Sequence, residues 1–378
     1  MSNRRPTTRR SLASRLADLG VLLLGVASVL AVLEMAVRPF YPASPDLLAH
    51  QVRHRASPAY GWEMVPDLGA NSLAVPAPID EHGGRLMSPP PGGSGSDRPS
   101  WLAAGGGNTF GVGITADSIF AARASRGVEE GGVILVNTAT EGYDLDQKLR
   151  RIEAEAVRVS PDLILIEVEA SDLTTRAPRD SDLAGSSVES ALLRINRQPP
   201  RQEDTWAWIL NRSRLASLVD GRVRAFLRLG RRLPKPEPAV TSYQVRPIDI
   251  LLGRETPAIE SAWNKVEGKM DRLAMAAGRV GATVCVVALP LPAQLRRPYP
   301  RANFQSRLSR ICGERGFLLV DPLPAFRGAR RSGIRPYLPR LPYLSEAGHR
   351  VVAEQIRMEL ETPLAHDDDG RLPGRGDE

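Results

Sequence analysis

WLAAGGGNTFGVGI, Trp101–Ile114, is the stretch whose reading decides the fold. Trp101–Ala104 is an apolar run too short for a helix, which fits a buried strand. Gly105–Gly107 forms a turn, and Thr109–Gly113 opens onto a helix over Asp117–Ser125. A strand, a tight glycine turn and a helix are the setting in which α/β enzymes mount a nucleophile. Here the position that would carry a serine is Gly107. A phosphate-binding loop would also use backbone donors leading into a helix. GGGNTFGVG lacks both the Lys-Ser/Thr ending of a P-loop and the glycine spacing of a dinucleotide site.

Working outward, Val133–Val136, Leu163–Val168, Ala282–Leu289 and Phe317–Val320 read as further short apolar strands. Helical patterns cover Asp144–Arg158, Phe304–Arg315 and Ser345–Glu361, the last with Ser345 as its N-cap. Strands and helices alternating at this spacing predict an α/β domain over residues 99–362, a parallel sheet with helices on both faces. Residues 177–260 break the rhythm and read as an insertion. Residues 38–98 are rich in Pro and Gly and read as a strap of loop, not core. Within the strap, Tyr60-Gly61-Trp62 and Met64-Val65-Pro66 form a small apolar patch suited to docking on the domain. Residues 363–378 read as a disordered acidic tail.

The amino terminus carries a different signal. Leu19–Leu33 is apolar without interruption, Glu34 follows, and the pattern continues to Val37. That is about 19 residues, close to the length of a bilayer-spanning helix. Arg4, Arg5, Arg9, Arg10 and Arg15 crowd the arm before it (residues 1–18), which keeps that end cytoplasmic and sends the rest across. The reading favours an uncleaved anchor at 19–37; a cleaved signal peptide ending near Val29-Leu30-Ala31 is the alternative. Net charge is +7, and only four of the 50 basic residues are lysines. No nucleic-acid-binding motif accompanies the arginines, so no nucleic-acid partner is expected. Cys285 and Cys312, the only cysteines, lie in apolar patterns and read as buried free thiols. No metal-ligand spacing occurs, and neither metal nor cofactor is expected.

The order of these features resembles the SGNH (GDSL-type) hydrolases, in particular membrane-anchored bacterial members. Thr109-Phe110-Gly111-Val112-Gly113 matches the segment after the family's nucleophile block, GDSxTFGxG. Val136–Ala139 and Gly142–Gln147 match a block reading roughly LNxGxxGYxxDQ. Ala170-Ser171-Asp172-Leu173 lies where the family has GND, and Phe317–Asp321 resembles its late strand ending in Asp. Leu341–His349 lies where the family reads DGHLxxxGH. The resemblance implies a flavodoxin-like sheet for most of the chain.

It also implies where catalysis would sit, and the chain departs there. The family's serine falls on Gly107 and its neighbouring Asp on Gly106. The backbone donor of the oxyanion hole falls on Ala139, and the Asn donor on Ser171. The orienting Asp and the general-base His fall on Leu341 and Tyr343. A serine needs a base within hydrogen-bond reach, and the base needs an orienter; none of the three is present. Ser94 and Ser96 lie in a loop without a base, and His349 reads as a helix-packing or capping residue. Asn108, Asn137, Glu141 and Asp172 are the candidate cleft-lining residues. Asp172 reads first as a turn residue; Glu141 and Asp172 are a candidate acidic pair, and Glu141 a candidate for a sugar hydroxyl or cation.

The expectation is therefore a membrane-anchored, extracytoplasmic SGNH-like protein without catalysis. Its role would be binding or scaffolding in cell-envelope or exopolysaccharide metabolism, with envelope polysaccharide or a protein as partner. The alternatives are an active esterase or O-acyltransferase on envelope glycans with a rearranged site, and a structural subunit with a filled cleft.

Overall fold

The computed structural model describes residues 12–37, 52–89, 98–126, 132–173, 245–295, 303–339 and 341–364. The chain divides into two units, Met1–Ser44 with Pro200–Pro236, and Pro45–Pro199 with Glu237–Glu378. In the first, helix α1 (Leu12–Val37) contains a 20-residue apolar span, Asp18–Val37, with none of its length buried. It is long and apolar enough to cross a membrane, a property that signal sequences share.

The second unit is built on five parallel strands: β5 (Ser100–Ala104), β6 (Ile134–Asn137), β7 (Leu163–Glu169), β8 (Thr283–Leu289) and β9 (Leu318–Val320). Their order is β6-β5-β7-β8-β9, all pairs parallel. Numbered along the sheet's own sequence this is 2-1-3-4-5, the flavodoxin-like order. The strand order reverses between β5 and β7, so the crevice at their carboxyl ends is where such sheets bind ligands.

Side-chain alternation along the strands feeds two cores. Leu102, Ala104, Ile164, Ile166, Val284 and Val286 pack on one face against α4 (Leu145–Val159), α6 (Pro257–Val280) and α7 (Gln305–Gly313). Trp101, Ala103, Leu163, Leu165, Cys285 and Val287 pack on the other against α3 (Phe120–Ser125), α8 (Leu323–Arg331) and α9 (Glu346–Leu364). Cys285 and Cys312 are buried and free. Asp144 caps α4 in a reciprocal box with Gln147, and Ser345 Oγ accepts the Gly348 N–H at the start of α9.

Three expectations need correction. The proposed helix over Asp117–Ser125 is a 3₁₀ turn (Ala116–Ser118) and then α3, because Ile119 between them is extended. Residues 245–260, assigned to the insertion, belong to the core: Val245, Ile250, Leu251 and Ile259 are buried there. They include α5 (Pro247–Leu251) and the start of α6, a 24-residue helix that the pattern reading missed. The rest of the 177–260 segment lies outside the described residues, as do Ser94, Ser96 and the tail beyond 364.

The strap, read as loop, has a core of its own. Two small hairpins, β1 (His54–Ser57) with β2 (Gly61–Met64) and β3 (Asn71–Ser72) with β4 (Val75–Pro76), pair antiparallel. Met64, Ala70, Ala77 and Ile79 are buried against Phe110, Val112 and Ala139 of the domain. The Tyr60–Trp62 patch docks on the start of α4: Tyr143 donates to the Trp62 carbonyl at 2.6 Å and Gln147 to that of Tyr60 at 2.7 Å.

Candidate functional site

β5 runs out into Gly105 and Gly106, and helix α2 (Gly107–Phe110) begins at once. Gly105 is required by proximity: a Cβ there would lie 2.1 Å from Thr109 Oγ1. The turn is tied to β7 across the switch point. Thr109 donates to Glu167 through its backbone N–H (2.8 Å) and its hydroxyl. Asn108 Nδ2 donates to Glu169 at 2.9 Å.

Glu167 and Glu169, two apart on one strand, point to the same face at its carboxyl end. Glu167 is buried. Burial, and then the Glu167 charge, push the Glu169 carboxyl up to about 8. The cation nearby is Lys148 of α4, only 2 % exposed, which donates to Asp172 at 2.8 and 3.0 Å and to the Glu167 carbonyl at 3.2 Å. Burial alone would lower the Lys148 ammonium, but Asp172, Glu167 and Glu169 more than reverse this and hold it above the ordinary lysine value.

Each position where catalysis would sit has a different occupant or an internal use. At Gly107 an added Cβ would stand 2.4 Å from Tyr343 Cε1 and 3.2 Å from Glu141 Cγ. The Tyr343 ring therefore takes the room that a side chain at 107 would need. Its hydroxyl donates to Glu141 Oε1. Burial and the Glu141 charge hold the phenol far above its ordinary pKa, so it stays protonated and keeps donating. The Ala139 N–H is taken by Asn137 Oδ1 at 3.1 Å, and the Ser171 hydroxyl donates to Glu169 Oε2 at 2.8 Å. Leu341 brings no ionisable group.

His349 is buried 229 residues downstream of Phe120, yet its Nδ1 accepts the Phe120 N–H at 3.1 Å. It thereby fixes where α3 starts, and its ring stacks on Phe120 at 5.6 Å. Burial lowers its pKa to about 3, and Nε2 has no hydrogen-bond partner. It is a neutral capping histidine that holds no serine or cysteine.

Among the candidate cleft-lining residues, Asn108 and Asn137 are buried and spent inside the fold. Asn108 Oδ1 accepts the Leu344 N–H at 2.8 Å, and Asn137 Nδ2 donates to the Thr109 carbonyl at 2.9 Å. Asp172 is buried against Lys148 and accepts the Glu169 N–H at 2.8 Å, a turn role. Of the candidate acidic pair, Asp172 accepts from Lys148 and Glu141 from the Tyr343 hydroxyl. Among the described residues no group of three or more His, Cys, Asp or Glu is arranged to hold a metal ion.

Residue-by-residue reading missed four contributors. Glu167 and Glu169 interrupt an apolar strand, LILIEVE, and two carboxylates at alternate positions there were the available signal. Lys148, one of only four lysines, is nearly inaccessible. Arg85, from the strap, is 1 % exposed. It donates to the carbonyls of Phe110 (2.8 Å), Gly111 (2.6 Å), Ile114 (2.5 Å) and Pro76 (3.2 Å). Its guanidinium lies 5.1 Å from the Phe110 ring centroid, and burial lowers its pKa to about 10.

No family model matches the chain, and no curated protein matches it. Solved structures to which it is similar include TesA, at 13% identity over 70% of this chain and 98% of that one, with a TM-score of 0.39. A lipolytic protein of the G-D-S-L family from Veillonella parvula matches at 13% identity over 72% of this chain and 99% of that one, TM-score 0.38. Axe2, an acetylxylan esterase from Geobacillus stearothermophilus, matches at 13% identity over 69% of this chain and 94% of that one, TM-score 0.38.

Proposed function

We propose that this chain is an SGNH-hydrolase-like protein without hydrolytic activity, anchored by α1 and carrying its α/β domain outside the cytoplasm. In this reading it binds or scaffolds in cell-envelope or exopolysaccharide metabolism. The observation that carries the loss of catalysis is the Tyr343 ring seated against Gly107, with its hydroxyl given to Glu141. A serine nucleophile needs a base and an oxyanion hole in register with it. Here the nucleophile's room is filled, the base is a phenol that does not ionise at neutral pH, and the two remaining donors are engaged. At Gly107 the site of the resemblance is filled by the Tyr343 side chain. Recognition must then use the surface around it. The envelope assignment rests on the apolar helix and the arginine-rich arm before it, together with the family resemblance.

The test is a chromogenic acyl-ester assay on the full chain in neutral detergent. The expected result is no turnover above a heat-denatured control, and no labelling by a serine-directed fluorophosphonate. Turnover abolished by that reagent would overturn the reading and favour an active esterase or O-acyltransferase. A triple variant, Gly107→Ser with Leu341→Asp and Tyr343→His, is expected to be labelled if the remaining geometry still supports the chemistry.

A further inference from the structure

Apart from the closed site, the described surface has a cleft of about 350 Å³ between α3 and α9, lined by Asp117, Ser118, Arg123, Arg126, Arg350 and Arg357. Its volume falls in the range of small-ligand sites. Four guanidiniums face it, and among the described residues the one carboxylate in its lining is Asp117; Glu346 pairs with Arg123 beside it.

The four arginines divide into two kinds. Arg123 and Arg126 are held in place. Arg123 Nε donates to the Ser118 carbonyl at 3.1 Å, and its Nη2 to Ser118 Oγ at 3.0 Å and to Glu346 at 2.6 Å. Arg126 pairs with Asp117. These bonds preorganise the α3 wall. Among the described residues Arg350 and Arg357 have no hydrogen-bond or ion-pair partner. They are seven residues apart on α9, so they share a face about 10 Å apart along the axis and bracket the cleft. Most of the other described arginines of this unit are paired: Arg272 spans two carboxylates, and Arg307, Arg310 and Arg315 each hold one or more. Two free guanidiniums converging with two fixed ones leave their donor forks for an incoming acceptor. Guanidinium forks match the oxygens of a phosphate, and phosphate pairs are among the stronger charge-assisted hydrogen bonds.

We propose that this cleft binds a doubly charged phosphomonoester, with Arg350 and Arg357 as its mobile clamps and Arg123 and Arg126 as its fixed wall. A dianion suits a described lining of four guanidiniums and one carboxylate. The cleft is larger than a bare phosphate and has room for the group that carries it. This inference does not depend on whether the Gly107 site is active.

The test uses the full chain in nanodiscs of phosphatidylcholine, titrated calorimetrically with glycerol 3-phosphate at low salt. Saturable 1:1 binding is expected, weakening about tenfold for Arg350→Gln and again for Arg357→Gln, as for loss of one charge-assisted contact each. The control is Arg330→Gln with Arg331→Gln, two exposed arginines on α8, which removes the same charge elsewhere and is expected to leave binding unchanged. No saturable heat at millimolar ligand, or an equal loss in the α8 control, overturns the proposal, the latter assigning the effect to diffuse charge. A second arm replaces part of the phosphatidylcholine with phosphatidic acid. Suppressed glycerol 3-phosphate binding, restored by diluting the anionic lipid, supports the site with a lipid headgroup as its source. Unchanged binding supports it with a soluble phosphomonoester. Arg350 and Arg357 make no hydrogen bond or ion pair among the described residues, and Gln keeps most of their stems, so their variants are expected to unfold close to the wild-type temperature, which keeps a binding loss interpretable.

Discussion

Gly107 and Tyr343 form a coupled pair, and their energetics can be measured as one. A side chain at 107 must push the Tyr343 ring aside, since its Cβ would approach Cε1 to 2.4 Å. Overpacking of this kind costs roughly 1–3 kcal/mol. Gly107→Ala is therefore expected to lower stability by about that amount in urea unfolding, and to cost much less in a Tyr343→Ala background. A double-mutant cycle with a coupling energy near zero would sink this account. The second residue-scale prediction concerns Glu169. Its folded pKa of about 8 lies above the ordinary 4.5, so the folded protein holds a proton that the unfolded chain has released. Stability then falls as pH rises from about 4.5 to about 8. Glu169→Gln keeps an acceptor for Asn108 and can donate to Ser171, and it is expected to flatten the slope between pH 6.5 and 8. An unchanged slope would place the proton elsewhere.

Helix and strand placement shows what was legible in the sequence. The apolar runs gave all five sheet strands to within a residue or two, because strands buried on both faces are continuous hydrophobic runs. Helix α6 was missed although its signals are present. Thr256 caps it by accepting the Ile259 N–H at 3.2 Å, Pro257 stands at its first turn, and Gly281 ends it in the left-handed region. Those signals straddle residue 260, where the insertion read from the broken rhythm ends. The strap was misjudged for a different reason: its Pro and Gly content reports local conformation and is silent on burial. Its hold on the domain depends on Arg85, which reaches from 85 to the carbonyls at the end of α2, a contact no local pattern encodes. Arg85→Met leaves buried carbonyls without a donor, and is expected to destabilise the domain by about 3 kcal/mol. Arg53→Met, at an exposed pair with Asp67, is expected to change stability by less than about 0.5 kcal/mol. Equal effects in thermal unfolding would mean the strap is not held through Arg85. The candidate site was legible by position and not by geometry. Gly107, Ala139, Ser171 and Tyr343 could be picked out by the resemblance, but Tyr343 filling the space at Gly107 is a contact between residues 236 positions apart.

At the scale of the whole molecule, two buried groups set opposite limits on pH. His349, lowered to about 3, stays neutral in the fold while the unfolded chain takes up a proton below about 6.5. Its contribution is present above that pH and is lost as pH falls toward 3. Glu169 works the other way, from about 4.5 to about 8. The two slopes oppose each other between about 4.5 and 6.5, so the domain is expected to show a broad stability plateau there, with losses on both sides. Denaturant midpoints measured from pH 4 to 9 check this; a midpoint that climbs steadily to pH 9 contradicts it. The seating of Tyr343 against Gly107 also bears on how such a chain can change over generations. A serine arriving first at 107 meets the ring, whereas loss of the ring first leaves a void and takes the Tyr343 hydroxyl from Glu141. Both first steps run downhill in stability before any chemistry is gained. The pair fixes an order of change: a nucleophile at 107 has room only once the ring gives way, and each first step alone lowers stability.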